Sequence, residues 1–114
     1  MSEFLYLFRG GDAREAGGSP ERMQEHMGKW MKWMEDLGKK GKLSGGLPLK
    51  NEGKIVKNSG VVTDGAYAEG KEIVGGYLIV KAADLCEATE ISKGCPIFEF
   101  DGTVEVREIQ SMEM

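Results

Sequence analysis

His26 is the only histidine in the chain, so any proton transfer by an imidazole near neutral pH must happen there. On a helix turning ~100° per residue it falls at the edge of an apolar face, beside Trp30 and Trp33. An imidazole in that position could look into a cleft between helix and sheet, one nitrogen free and the other held by a carboxylate. It could equally be a boundary residue that fills space. Asp64 ends a short apolar strand and precedes a glycine, which makes it a carboxylate fixed at a strand end and also an ordinary turn residue. Arg107 alternates with Val104 and Val106 and so points away from the face they pack on. Its guanidinium could clamp a carboxylate or phosphate, or pair with Glu105 or Glu108. A single histidine argues against a histidine-based metal site. The Gly10-Gly11 and Gly17-Gly18 pairs lack the spacing of a phosphate loop, and no serine nucleophile elbow is present.

These side chains need elements to hold them. Phe4 to Phe8 is an unbroken aromatic and aliphatic run, which reads as a strand covered on both faces. A Gly-rich polar loop follows to Gly18. Ser19 then supplies an N-cap, Pro20 the first helical position and Glu21 a negative charge at the positive end of the dipole. The helix runs to about Lys40, with Met23, Met27, Trp30, Met34 and Leu37 on one side and Glu25, Lys29, Lys32, Glu35, Asp36 and Lys39 on the other. Gly38 or Gly41 ends it in a left-handed conformation. Thioethers dominate the apolar side, which suits either an irregular core or a binding groove.

From Leu43 to Gly60 the chain is Gly-rich and polar around Leu47-Pro48-Leu49. Ile55 to Lys57 and Val61 to Thr63 flank the turn residues Asn58-Ser59-Gly60, which predicts a hairpin. Ile73 to Val80 is a further strand, with a bulge or close backbone approach at Gly75-Gly76. Asp84 opens a second helix, with Glu87 three residues on as its capping-box partner. Leu85, Ala88 and Ile91 form its apolar stripe, and Gly94 with Pro96 ends it. The last strand runs from Thr103 to Ile109.

The chain of 114 residues, 40% hydrophobic and 30% charged, has the size and composition of one folded domain. Its 15 Lys and Arg are scattered among 19 Asp and Glu for a net charge of −4, which disfavours a nucleic-acid partner. No stretch approaches the roughly 18–20 apolar residues of a membrane span, and the N-terminal segment lacks the features of a signal peptide. The expectation is a soluble cytoplasmic protein without a membrane partner. Cys86 and Cys95 read as reduced thiols rather than a disulfide or zinc framework.

The order strand, helix, strand, strand, helix, strand, with an extra short hairpin strand, predicts an α+β fold of the ferredoxin-like split βαβ type: an antiparallel sheet with both helices on one face. The first strand and the Tyr77 to Val80 strand are apolar in consecutive positions, so the second face of the sheet also wants cover. A second copy packing sheet against sheet supplies it, which predicts a homodimeric α+β barrel.

The segment Val62-Thr63-Asp64-Gly65-Ala66-Tyr67-Ala68-Glu69-Gly70-Lys71-Glu72 resembles the signature of the DGPF-domain branch of the YCII-related family, usually written TDGPFAETKE. Downstream, Gly75-Gly76-Tyr77, Asp84-Leu85-Cys86-Glu87-Ala88, Cys95-Pro96 and Glu105-Val106-Arg107 resemble the family's GGY, D-L-x-E-A, x-P and EVRP elements. Upstream, His26 with Trp30 resembles the histidine and aromatic of its first helix, and Gly41-Lys42-Leu43 its G-x-L turn. Ala66, Tyr67, Gly70 and Glu108 depart from the pattern. Tyr67 in place of the signature Phe adds a hydroxyl able to hydrogen-bond a ligand.

The resemblance implies a ferredoxin-like dimeric α+β barrel, a histidine on the first helix paired with an aspartate, and, for some members, a link to sigma-factor regulation. It sets Asp64, in the signature loop, beside His26. The functional expectation is a small-molecule enzyme needing no cofactor, in which His26 shuttles a proton and Asp64 orients it, while Trp30, Tyr67 and Arg107 shape the ligand pocket. The alternative is a non-catalytic ligand-sensing or protein-binding dimer acting with a sigma-factor pathway protein.

Overall fold

A computed structural model of the chain describes residues 1–11, 19–50, 52–64 and 73–110, with the backbone alone at 63 and 64. The elements in chain order are β1 (Ser2–Arg9), α1 (Pro20–Lys39), β2 (Leu43–Pro48), β3 (Lys54–Val56), β4 (Val62–Asp64), β5 (Val74–Ala82), α2 (Leu85–Ser92), a 3-10 helix (Pro96–Phe100) and β6 (Thr103–Glu108).

Four strands form one sheet in the order β2-β5-β1-β6, every neighbouring pair antiparallel. This is the ferredoxin-like arrangement, with the first and third strands of the sheet central. Along β1, Phe4, Tyr6 and Phe8 are buried while the residues between them are not. Both helices lie on that buried face: the Tyr6 ring stacks on Trp33 of α1, centroids 6.4 Å apart, and its hydroxyl donates to the Ala88 carbonyl of α2. Leu78, Val80 and Ala82 of β5 complete the floor.

The sequence places the second sheet strand wrongly. That strand is Leu43–Pro48, not the Ile55 segment, which pairs only with β4 in a separate two-stranded ribbon. The misreading has a physical source. β2 carries Gly45 and Gly46, which weaken any strand signal, yet Gly46 sits at φ +141° where a Cβ would lie 2.3 Å from the Tyr77 carbonyl oxygen. Glycine is thus what lets this edge strand approach β5.

Helix α1 begins as its residues dictate: the Ser19 hydroxyl accepts from the Arg22 N–H at 3.2 Å, and Gly41 takes the left-handed conformation after the end, at φ +70°. Its inward stripe is rotated from the expected one. His26 and Leu37 are buried and Trp30, Trp33 and Met34 half-buried, whereas Met27 is 58% exposed. At the start of α2 the Asp84 carboxylate accepts from the Glu87 N–H at 2.8 Å, while Glu87 reaches back to the N–H of Ala83 rather than Asp84. Lys42 adds an ion pair to Glu87 at 2.9 Å, tying the entry of β2 to α2.

The opposite face of the sheet carries Leu5, Leu7, Tyr77 and Ile79, half-buried, in adjacent register across β1 and β5. Charged residues edge this patch, including Arg9 and Glu105, whose side chains pair at 2.6 Å.

Candidate functional site

The imidazole of His26 is 4% exposed and both of its nitrogens are engaged. Nε2 lies 3.0 Å from the indole Nε1 of Trp30, one turn further along α1. An indole N–H can only donate, so Nε2 must be the accepting nitrogen and the ring proton sits on Nδ1. Nδ1 in turn lies 3.3 Å from Oε2 of Glu99 and donates to it. The row Glu99, His26, Trp30 therefore favours the tautomer with its proton on Nδ1.

Glu99 comes from the 3-10 helix that packs on α1, and Lys29 also reaches both of its oxygens at 3.2 Å. The hydrogen bond from His26, followed by that from Lys29, holds the Glu99 carboxyl below the usual carboxylate range, so it is an anion at neutral pH. The neighbouring Phe100 closes the His26 ring edge to face, centroids 4.6 Å apart, and Arg22 covers the outer side of Phe100 at 5.1 Å. Pro96 starts this helix and Asp101, at φ +62°, ends it, which keeps Glu99 on the side of α1.

A cavity of about 370 Å³ opens on the other side of Trp30. Its walls are Phe8 and Trp30, perpendicular at 5.1 Å, the thioethers Met27, Met31 and Met34 of α1, and the glycine-rich ends of β1, β2 and β5. His26 is not part of the wall. Among the described residues Trp30 joins the two: its ring lines the cavity and its N–H faces the imidazole.

The structure thus brings together two of the residues singled out from the sequence, His26 and Trp30. Arg107 stands on the other face of the sheet, in register with Leu5, mostly exposed and 3.9 Å from Glu105. Asp64 ends β4 in the separate ribbon, its backbone in register with Lys54; its side chain lies outside the described residues, as does Tyr67. Glu99 was not legible from the sequence. The only hint was an acid set between Phe98 and Phe100, and nothing local says that this segment lies against α1.

Among the described residues no group of three or more His, Cys, Asp or Glu is arranged to hold a metal ion, and no helix is long and apolar enough to cross a membrane. What the arrangement can do is acid–base chemistry: an oriented imidazole with one lone pair, backed by an ionised carboxylate that stabilises the imidazolium formed on protonation.

No curated protein matches the chain. Among solved structures it is similar to a 5-chloro-2-hydroxyhydroquinone dehydrochlorinase from Burkholderia phenoliruptrix AC1100, in complex with 2,5-dihydroxybenzoquinone, with a TM-score of 0.54 and 16% identity over 96% of this chain and 94% of that one. At that identity the likeness speaks to the fold. The model of the YCII-related domain matches residues 4–113, nearly the whole chain, and the protein belongs to the YCII-related family.

Proposed function

We propose that this protein is a homodimeric small-molecule enzyme of acid–base type that needs no cofactor, in which Glu99 orients His26 and His26 moves a proton for a substrate seated beyond Trp30. The observation that carries this reading is the hydrogen-bonded row from the Glu99 carboxylate through the imidazole to a tryptophan that is itself a cavity wall. Nε2 is the basic nitrogen. It accepts a substrate proton once the indole N–H gives way, Glu99 stabilises the imidazolium, and the same proton returns to product or solvent in an isomerisation or elimination. Asp64 remains the candidate for a second acid–base group and Tyr67 for a ligand contact, both in the loop resembling the DGPF signature. Arg107 contributes to a pocket only if a second copy covers its face of the sheet, where the Leu5, Leu7, Tyr77 and Ile79 patch supports a sheet-to-sheet dimer.

The test is exchange of a substrate C–H for solvent deuterium. 2,5-Dihydroxybenzoquinone, the ligand of the structurally similar dehydrochlorinase, is the first probe, followed by substituted hydroxyhydroquinones. Enzyme-dependent exchange that falls on the order of 10²-fold or more in His26→Asn, in a variant whose far-ultraviolet spectrum shows it folded, supports the reading; exchange equal in wild type and variant removes it.

A second reading rests on the burial of His26 and the engagement of both its nitrogens, which suit a structural imidazole in a non-catalytic ligand-sensing or protein-binding dimer. Capture of a sigma-factor pathway protein that survives His26→Asn would favour it.

A further inference from the structure

The cavity beyond Trp30 has a chemical character that narrows its ligand. Every residue described in its lining is uncharged. Lys29 and Glu99, behind the tryptophan, are engaged with each other and with His26. A carboxylate, phosphate or ammonium placed between these walls would lose its hydration without gaining a charged partner among the described lining residues.

What the walls do offer suits a ring. Phe8 and Trp30 present aromatic surface at a right angle. Met27, Met31 and Met34 recur at helical spacing along one side of α1, and thioethers adapt to and attract aromatic rings. The remaining polar groups of the described lining are main-chain amides and carbonyls, which are neutral. Such groups serve hydroxyls or carbonyls. The volume of about 370 Å³ is at the small end of ligand pockets, which span roughly 300–1,000 Å³, and fits one or two fused rings.

We infer that this cavity takes an uncharged, flat, ring-sized organic molecule whose polar groups are hydroxyls or carbonyls, and that it rejects carboxylates, phosphates and amines of the same shape. The inference rests on taking the cavity as the substrate site of the proposed enzyme and names the class of that substrate.

Three probes sharing one ring system test it: 2-naphthol, 2-naphthoate and 2-naphthylmethylammonium, titrated at pH 7 and followed by tryptophan fluorescence and calorimetry. The expected result is binding of 2-naphthol at least tenfold tighter than either charged probe. Met31 is 69% exposed, so Met31→Glu folds while placing a carboxylate at the rim. It should weaken 2-naphthol at least tenfold, with Met31→Leu within about twofold of wild type. Naphthoate or the ammonium binding as tightly as naphthol overturns the inference, and so does failure of all three to bind. His26→Asn separates the two claims: it should leave naphthol binding within twofold while abolishing deuterium exchange, so ligand class and acid–base role can fail independently.

Discussion

The Trp30 indole N–H donates to Nε2 of His26 at 3.0 Å, across one turn of the same helix, and this bond decides which imidazole nitrogen is free of a proton. Since the indole has no lone pair to offer, the histidine is held ready to accept at Nε2 and to donate at Nδ1, where Glu99 waits. The same tryptophan walls the cavity, so a ligand stacking there presses on the residue that caps the base.

Replacing Trp30 by Phe keeps a ring and removes the donor. Nitrogen-15 spectra of wild type should show a ring protonated at Nδ1, and Trp30→Phe the same tautomer, held by Glu99, with the Nε2 signal shifted by loss of the indole hydrogen bond. Stability should fall by about 1–3 kcal/mol, the cost of leaving a buried acceptor unsatisfied. An Nε2 signal that does not move in the variant would refute the assignment.

Glu99 is held below the usual carboxylate range by His26 first and Lys29 second. For a carboxyl whose folded value is depressed, the stabilisation is complete above its unfolded value, about 4.3, and is lost as pH falls through the folded one. Thermal melts should therefore decline below about pH 4.5, and Glu99→Gln should decline less steeply while starting lower at neutral pH. Equal acid slopes would show that the His26 contact adds nothing. Glu87, depressed chiefly by Lys42, contributes the same acid limb in both proteins. Comparing deuterium exchange in Glu99→Gln and Asp64→Asn then identifies which carboxylate serves the imidazole.

Cys95 is buried, and burial raises its thiol to about 12, whereas Cys86 is exposed. At pH 8 a disulfide reagent such as DTNB should label one thiol of the native protein promptly and the second only after denaturation. Mass mapping should place the fast label on Cys86, and labelling of Cys95 in the native state would contradict its packing.

Gly46 tolerates no side chain: its φ of +141° is foreign to other residues and a Cβ would collide with the Tyr77 carbonyl and Leu78. Gly46→Ala should cost about 2–3 kcal/mol by chemical denaturation. Gly45, whose Cβ would meet nothing within 4 Å, is the control and should change little when replaced by Ala.

The apolar patch of Leu5, Leu7, Tyr77 and Ile79 predicts a dimer by sedimentation at micromolar concentration. Leu7→Glu should yield monomers with a retained far-ultraviolet spectrum. A wild type that sediments as a monomer would end the barrel proposal.

What the residues settled on their own were the features that depend on neighbours in the chain. Ser19 and Pro20 started α1, Gly38 or Gly41 was marked to end it, Asp84 capped α2, and the apolar run through Phe4, Tyr6 and Phe8 marked the first strand. From these came the α+β class and both helices on one face. Three things needed the folded chain. β2 was hidden because its glycines carry no strand propensity and are required by close contact with β5, which no local pattern records. The turn of α1 that buries His26 and leaves Met27 outside depends on what packs against it, and helical angles alone separate those two residues by only one step. Glu99 reaches His26 across 73 positions of sequence, because the 3-10 helix after Pro96 folds back on α1; spacing carries no information about such a pairing, so only tertiary structure could supply the imidazole's carboxylate.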